Sequence, residues 1–363
     1  MQVFGGMALL RDFVASRRVL LARLVILLCL VLAAWWQWDI AATDRTLAEE
    51  PASADFSDMR LYDEVAGKVA AGEGYYAAAT DSHRNHGYPT NPWFTVRLPM
   101  LAYMTAWLGV DVLSLLAKSL VVAGMVAWWI AFHHAGARVV EVLLAGIAAF
   151  AGGAIVFYMP GLLHEFWAGL FVSLAFACYR PGRSNAAIAF ALMACAIREF
   201  SVLVIGTGFM LAVLDNRKGE AAKWFAAGTL VTVFYAVHAI YVMGARLPGD
   251  LSSQGWSGMI GAMQAVYMVT SNSIFLLPGL AVGGVLALMA MAGWFAVGAR
   301  AWLAVPVLFA WLFAIAVFSR PENLYWSQFL LPWLPVGLVL FPRLCMVALG
   351  RGGLDGEAGK PVG

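Results

Sequence analysis

The chain has 363 residues, of which 62% are hydrophobic and 12% are charged. With a mean hydropathy of +0.79, this composition excludes an ordinary soluble domain and indicates a polytopic membrane protein. The net charge of +2 says little by itself, and the sequence has no basic stripe of the kind that binds nucleic acid.

Apolar runs divide the chain into spanning segments, because each transmembrane helix requires about 20 mostly apolar residues. We predict an all-α polytopic bundle of about ten spans, near residues 19–38, 112–132, 139–158, 163–179, 185–197, 200–214, 222–243, 271–296, 301–318 and 325–342. A further apolar run, 98–109, is shorter than a span and is expected to lie in the interface or to re-enter the membrane.

The placement of Lys and Arg orients this bundle. Short loops at every second connection carry the basic residues Arg138, Arg180, Arg183, Arg217, Lys218, Lys223 and Arg300. The positive-inside rule therefore predicts cytoplasmic termini and an outer loop at 39–111. We divide the chain into a cytoplasmic N-terminal segment, a transmembrane bundle that includes this loop, and a cytoplasmic Gly-rich tail, namely 1–18, 19–342 and 343–363.

The densest polar chemistry lies in the first outer loop, between residues 54 and 99. A short amphipathic helix there carries Asp58, Tyr62, Asp63 and Glu64, and a loop rich in Gly, Pro and His follows it. Polar residues at this density, at one mouth of an apolar bundle, indicate a functional site.

Charged side chains within or beside spans need a partner or a water-filled cavity, because charge is costly in lipid. In this chain they are Lys118, His164, Glu165, Arg198, Glu199, Arg320 and Glu322. Adjacent residues on a helix point about 100° apart, so in each adjacent pair we expect one side chain to face a cavity and the other to hold a neighbouring helix. The alternative is that all of them form structural ion pairs.

Two histidines in the first outer loop raise the question of a metal. His83 and His86 are three residues apart, and Asp81 is close in sequence. His164 and Glu165 from the second outer loop could complete a divalent-metal site. Binding of hydroxyl groups, or local hydrogen bonding, is the favoured interpretation.

Several motifs follow one another in a fixed order along the chain. The first outer loop contains Asp58-x-x-x-Tyr62, Gly72-x-Gly74-Tyr75-Tyr76, Tyr88-Pro89-x-x-Pro92 and Arg97-Leu98-Pro99, and later segments add 117–120, 160–165, 196–199 and 323–335. Together they resemble the GT-C superfamily of integral-membrane glycosyltransferases, especially its bacterial mannosyl- and arabinosyltransferase-like branches. The resemblance covers residues 15–342.

The resemblance implies transfer of a sugar from a polyprenyl-phosphate donor to a hydroxyl on a glycan, glycolipid or other acceptor. It implies a bacterial inner-membrane protein, embedded in lipid, with its active site on the periplasmic or extracellular side. Asp58 would be the general base. The donor phosphate would be bound by Arg97, Lys118, Arg198 and Arg320. The other substrate-binding residues would be Tyr62, Asp63, His83, His86, Tyr88, His164, Glu165, Glu199, Glu322 and Tyr325.

One departure from the family pattern concerns the acidic residues of the first loop. Many members have a tight acidic pair there, whereas here only Asp58 keeps the spacing to Tyr62. No cofactor is implied for certain, and a divalent cation is left open.

Two other classes fit the same composition. A secondary transporter would place its charges near the midplane, often within two related halves, and this sequence shows neither feature. A non-catalytic lipid-handling subunit would keep a lipid groove and need no base.

Overall fold

The computed structural model describes residues 17–43, 58–158, 163–255, 258–296 and 298–351. Within these ranges the fold is helical, with no strand. The helices are α1 (Arg18–Thr43), α2 (Asp58–Ala70), α3 (Tyr75–Asn85), α4 (Met100–His134), α5 (Val139–Gly153), α6 (His164–Cys178), α7 (Asn185–Ile197), α8 (Val202–Leu214), α9 (Lys218–Ala245), α10 (Gly261–Ser271), α11 (Leu280–Gly293), α12 (Ala299–Phe318) and α13 (Val336–Ala348). Short 3-10 helices cover Trp93–Thr95, Ala154–Phe157, Glu199–Ser201, Ile274–Leu276 and Pro321–Phe329.

Five helices, α1, α4, α5, α9 and α12, are long and apolar enough to cross a membrane. Five shorter apolar helices accompany them, namely α6, α7, α8, α11 and α13. The all-helical class is therefore confirmed, and five candidate spanning helices support a membrane protein, whereas the count of ten spans stays a prediction.

Two predicted spans have the wrong bounds. The run 271–296 is divided, because Pro278 and Gly279 interrupt it and α11 begins only at Leu280. Gly279 has φ +86°, a conformation that favours glycine. The run 325–342 is a 3-10 helix and turns as far as Pro335, and its α-helix begins at Val336.

Helix α4 bends sharply at Gly109, whose φ of 80° and ψ of 162° are not helical. Glycine permits this geometry because it has no Cβ to clash. The bend separates a short piece, 100–108, from the long apolar helix that follows. The interfacial or re-entrant placement of 98–109 stays a prediction.

The two ends of the bundle differ in charge. At one end, called the basic end, Arg343 bonds to Glu141 at 3.0 Å and the Arg23 Nε donates to the Ala348 carbonyl at 2.8 Å. At the opposite end, called the site end, residues 58–99 pack on α4 and α9. We call residues 58–99 the polar segment.

Close helix packing in the core depends on small residues. A Cβ on Gly293 of α11 would lie 1.8 Å from the Gly337 carbonyl oxygen of α13, so only glycine allows this approach. Beside them, the fully buried rings of Trp128, Trp294 and Trp333 fill the space between helices.

Hydrogen bonds connect the polar segment to α9 and to the residues that follow it. The Asp250 carboxylate accepts bonds from Arg84 at 3.2 Å and from the Thr90 hydroxyl at 3.0 Å. His238 of α9, completely buried, lies with its Nε2 3.2 Å from the Val96 carbonyl oxygen. These contacts fix the backbone that leads to Arg97.

Candidate functional site

Four charged side chains form a buried cluster at the site end. They come from the end of the polar segment (Arg97), the first turn of α6 (Glu165) and the break between α7 and α8 (Arg198 and Glu199). The Arg198 Nε lies 2.8 Å from Glu165 Oε1, and its Nη1 lies 2.7 Å from Glu199 Oε2. The Arg97 Nη2 is 3.7 Å from the same Glu165 oxygen. Two positive and two negative charges therefore meet in one place.

The contact between Arg198 and Glu199 corrects one expectation. On a continuous helix, adjacent side chains would diverge, but α7 ends at Ile197 and Arg198 is extended, with φ −141° and ψ 123°. The two side chains can therefore meet. Residues His164 and Glu165 do divide their roles as expected, since His164 lines a cavity and Glu165 pairs with Arg198.

Tyrosine hydroxyls surround the Arg97 guanidinium. Its Nε donates to the Tyr62 hydroxyl at 3.0 Å, and its Nη2 donates to the Tyr325 hydroxyl at 3.4 Å. The Tyr75 hydroxyl donates to the Arg97 carbonyl and so fixes its backbone. Because Glu165 is much nearer to Arg198, Arg97 is held mainly by neutral groups.

Asp58 is the first residue of α2 and lies beside this ring of tyrosines. Its carboxylate lies close enough to the Tyr88 hydroxyl to act on the pKa of that phenol. Burial, together with the Asp58 charge, raises the pKa of Tyr88, so that its phenol stays protonated as a donor. Asp58 also lies within electrostatic reach of Tyr62, His83 and Tyr325.

A cavity of about 70 Å³ lies between the polar segment, α4 and α6. This is room for several water molecules or for the charged end of a ligand. Its polar lining includes Tyr62, Asp63, His83, Arg97 and His164. Its apolar lining includes Val65, Leu101, Ala102, Val110, Leu113 and Trp167.

Two buried histidines line the cavity and differ in their hydrogen bonding. The His83 Nδ1–H donates to the Pro89 carbonyl at 2.9 Å, and burial lowers the pKa of His83. Its ring is therefore neutral at neutral pH, with Nε2 left as an acceptor. His164 is 3% exposed and packs edge-on against the Tyr62 ring, while its Nδ1 has no hydrogen-bond partner among the described residues.

Other predicted site residues lie outside this cluster. His86 donates to Glu64 at 2.7 Å, and neither residue is among those that line the cavity. Lys118 lies on α4 one turn beyond the cavity-lining Ser114. Arg320 donates to the Gly255 carbonyl at 2.8 Å and is not among the residues that line the cavity. The side chain of Glu322 is outside the described part of the structure.

The histidines and acids of the polar segment do not gather as a metal site would require. In the described ranges, no three His, Cys, Asp or Glu residues lie close enough to hold an ion. His86 is instead part of a network in which Lys68 bridges Glu64 at 3.0 Å and Asp81 at 2.7 Å.

Sequence reasoning missed several residues that shape the site. In the sequence Tyr75 belongs to a motif and Trp167 to an apolar span, and neither is a predicted site residue. Thr105 and Ser114 of α4 also line the cavity. The sequence contains a pattern that could have indicated this face of α4. Val110, Ser114 and Lys118 are four residues apart and therefore lie on one side of the helix.

No protein-family model matches the chain, and no curated protein or solved structure is significantly similar to it.

Proposed function

We propose that this protein is a membrane glycosyltransferase of GT-C type, which moves a sugar from a polyprenyl-phosphate donor to an acceptor hydroxyl on the outer face of the membrane. One observation carries the proposal. A single cavity has a buried guanidinium and two histidines on its polar side, and apolar residues of a membrane helix on the other. This combination suits a ligand whose phosphate is attached to a lipid chain.

Arg97 is the best-placed residue for the donor phosphate. It lines the cavity, and its nearest carboxylate oxygen is 3.7 Å away and is engaged more closely by Arg198. A guanidinium held by neutral hydroxyls keeps its charge available, and its fork suits two phosphate oxygens. Arg198 has a different role in this proposal, since its contacts with Glu165 and Glu199 make it a positioning residue.

Lys118 would extend the phosphate-binding groups along α4. Its side chain is half-buried, and among the described residues it has no hydrogen bond or ion pair. An ammonium in an apolar region requires an anionic partner. A donor phosphate that moves between Arg97 and Lys118 would supply one.

Asp58 is the proposed general base. The acceptor oxygen attacks the anomeric carbon of the donor sugar, and its proton passes to the Asp58 carboxylate. The bond between the anomeric carbon and the phosphate oxygen breaks, and the polyprenyl phosphate leaves with the electron pair. Arg97 stabilises the charge that develops on this phosphate. The His83 Nε2 can accept a hydrogen bond from a sugar or acceptor hydroxyl.

The location of the charges supports an enzyme over a transporter. The cluster lies where the polar segment covers one end of the bundle, whereas transporters bind their substrates near the midplane between repeats. A lipid-handling subunit would use the same cavity but would have no need of Asp58. The distinction between enzyme and subunit therefore depends on that residue.

Asp58→Asn tests the catalytic assignment. The protein is reconstituted with labelled polyprenyl-phosphate hexoses and pentoses and with a lipid extract as acceptor source, and labelled product is counted. We expect a fall in turnover of about two to four orders of magnitude, with unchanged binding of polyprenyl monophosphate. Glu73→Gln, an exposed change on the same segment, serves as the control. Turnover by Asp58→Asn equal to that of the control would refute the role of Asp58.

Arg97 is tested separately by binding. Polyprenyl monophosphate is titrated into the purified protein, and we expect Arg97→Ala to weaken binding at least tenfold, since a charge-assisted hydrogen bond contributes about 1.5–3 kcal/mol. Arg97→Lys should retain part of the affinity, because it keeps the charge without the fork. Equal affinities for wild type and Arg97→Ala would contradict a donor site in this cavity.

A further inference from the structure

A second cavity, of about 350 Å³, lies on the opposite part of the molecule. It runs between α5 and α13 and is separate from the proposed active site. Its walls are apolar and come from both helices, namely Leu144, Ile147, Ala148, Leu338, Val339 and Pro342. The outward face of α5 is exposed along its length, with Val140 65% and Ile147 56% accessible. In a membrane protein such a face meets lipid.

Two arginines lie near one end of this groove, at the basic end: Arg138 lines it, as Glu141 does, and Arg343 is held beside it by Glu141. Glu141 holds both of them, with Arg343 Nε at 3.0 Å and Arg138 Nε at 3.4 Å from its oxygens. The Arg138 side chain is nevertheless 83% exposed, and that of Arg343 is 39% exposed. Two guanidinium groups and one carboxylate together carry one net positive charge. This charge, with exposed N–H donors, lies at one end of the apolar groove.

The length of the groove fits one lipid chain. From Arg138 to Ala151, both of which line it, the helical rise is about 20 Å. The hydrocarbon of one leaflet is about 15 Å thick, half of a bilayer core of about 30 Å. A chain that starts at the arginines can therefore lie in the groove within its own leaflet.

We infer that this groove binds an anionic phospholipid, with one acyl chain between α5 and α13 and the headgroup phosphate on Arg138 and Arg343. The charge at the mouth selects an anionic headgroup, because a basic residue at the membrane surface attracts anionic lipid. The Glu141 carboxylate fixes both guanidinium groups and disfavours a second anion. The inference is independent of the proposed glycosyl transfer.

The test uses the full-length protein in nanodiscs that contain phosphatidylglycerol and phosphatidylcholine with identical acyl chains. Retained lipid is measured by native mass spectrometry after mild delipidation. We expect phosphatidylglycerol to be retained preferentially, and Arg138→Gln to reduce this preference about fivefold. Arg183→Gln, an exposed change of the same charge in the loop after α6, is the matched control and should change little.

A second variant separates the groove from simple surface charge. Ala148→Phe fills the channel without changing charge and should reduce retention of both lipids. Equal retention of the two lipids by wild type, or equal effects of Arg138→Gln and Arg183→Gln, would overturn the inference. Crosslinking of two protein copies through cysteines placed along the exposed face of α5 would overturn it as well, since a second chain would then cover the groove.

Discussion

Replacement of Glu165 by glutamine tests whether the buried charge cluster holds the site end together. The Glu165 side chain is 1% exposed and lies 2.8 Å from Arg198 and 3.7 Å from Arg97. Glutamine keeps the size and removes the charge, so that two guanidinium groups share one remaining carboxylate. Removal of one partner from a buried pair costs about 3–5 kcal/mol. Because Arg198 keeps Glu199 at 2.7 Å, we expect a loss near the lower limit, about 3 kcal/mol.

The free energy of unfolding is measured by titration of the micelle-bound protein with a denaturing detergent, followed by tryptophan fluorescence. A second variant, Arg198→Met, and the double variant complete a cycle. We expect the double variant to lose about 1–3 kcal/mol less than the sum of the single losses. Glu73→Gln is the control and should stay within about 0.5 kcal/mol of wild type. A loss below about 1 kcal/mol for Glu165→Gln, or additive losses in the cycle, would refute the coupling.

Three further outcomes are expected. Arg320→Ala should weaken the binding of polyprenyl monophosphate much less than Arg97→Ala, because the Arg320 side chain bonds to the Gly255 carbonyl; equal losses in the titration would return Arg320 to the site. Partial burial raises the pKa of Glu64, but hydrogen bonds from Ser82, Lys68 and His86 outweigh this effect and lower it to about 2. A lowered carboxyl pKa stabilises the fold above its ordinary value of 4.5 and loses this effect as pH falls toward 2. After a reduction for solvent screening, Glu64 should account for about 1–2 kcal/mol of the free energy of unfolding that is lost at low pH. Glu64→Gln should remove this part of the pH dependence, and an unchanged pH profile of unfolding would contradict the prediction. In whole cells, an impermeant thiol reagent should label cysteine at position 73 and leave cysteine at position 183 unlabelled, and the reverse would overturn the predicted orientation.

Composition and helical periodicity predicted much of what this fold shows. The apolar runs predicted most of the helices. In a bilayer, a single apolar segment satisfies its backbone hydrogen bonds internally by forming a helix. The two wrong bounds have a common physical cause. Proline lacks an amide donor and clashes with the preceding turn, so the segment that contains Pro332 and Pro335 remains outside the α-helix that begins at Val336. A hydropathy average does not register this interruption.

The composition of the candidate site was predicted better than its geometry. Glu165 and Arg198 are candidates from the sequence because charge in apolar spans needs a partner, and Arg97 is a candidate through the resemblance to the GT-C superfamily. Which arginine faces the cavity could not be predicted, since it depends on the extended backbone at Arg198 and on the tyrosines that hold Arg97. The position of Arg320 outside the cavity lining likewise follows from tertiary packing, which the neighbouring residues in the sequence do not reveal.

A contribution to folding stability does not by itself explain why this buried charge cluster is present. A buried ion pair is often no more stable than apolar residues of similar volume, because desolvation offsets the attraction. Arg198, 3% exposed and bound to two carboxylates, nevertheless holds Glu165 Oε1 at 2.8 Å, nearer than the 3.7 Å between that oxygen and Arg97. Without Arg198, Glu165 would be free to pair closely with Arg97 and to neutralise this guanidinium, which lines the cavity. In the proposed reaction, the Arg198 side chain therefore keeps a positive charge available for a phosphate, and Arg198→Met should weaken binding of polyprenyl monophosphate although residue 198 does not line the cavity. If Arg198→Met leaves that affinity unchanged in folded protein, the pair of Arg198 and Glu165 is structural only.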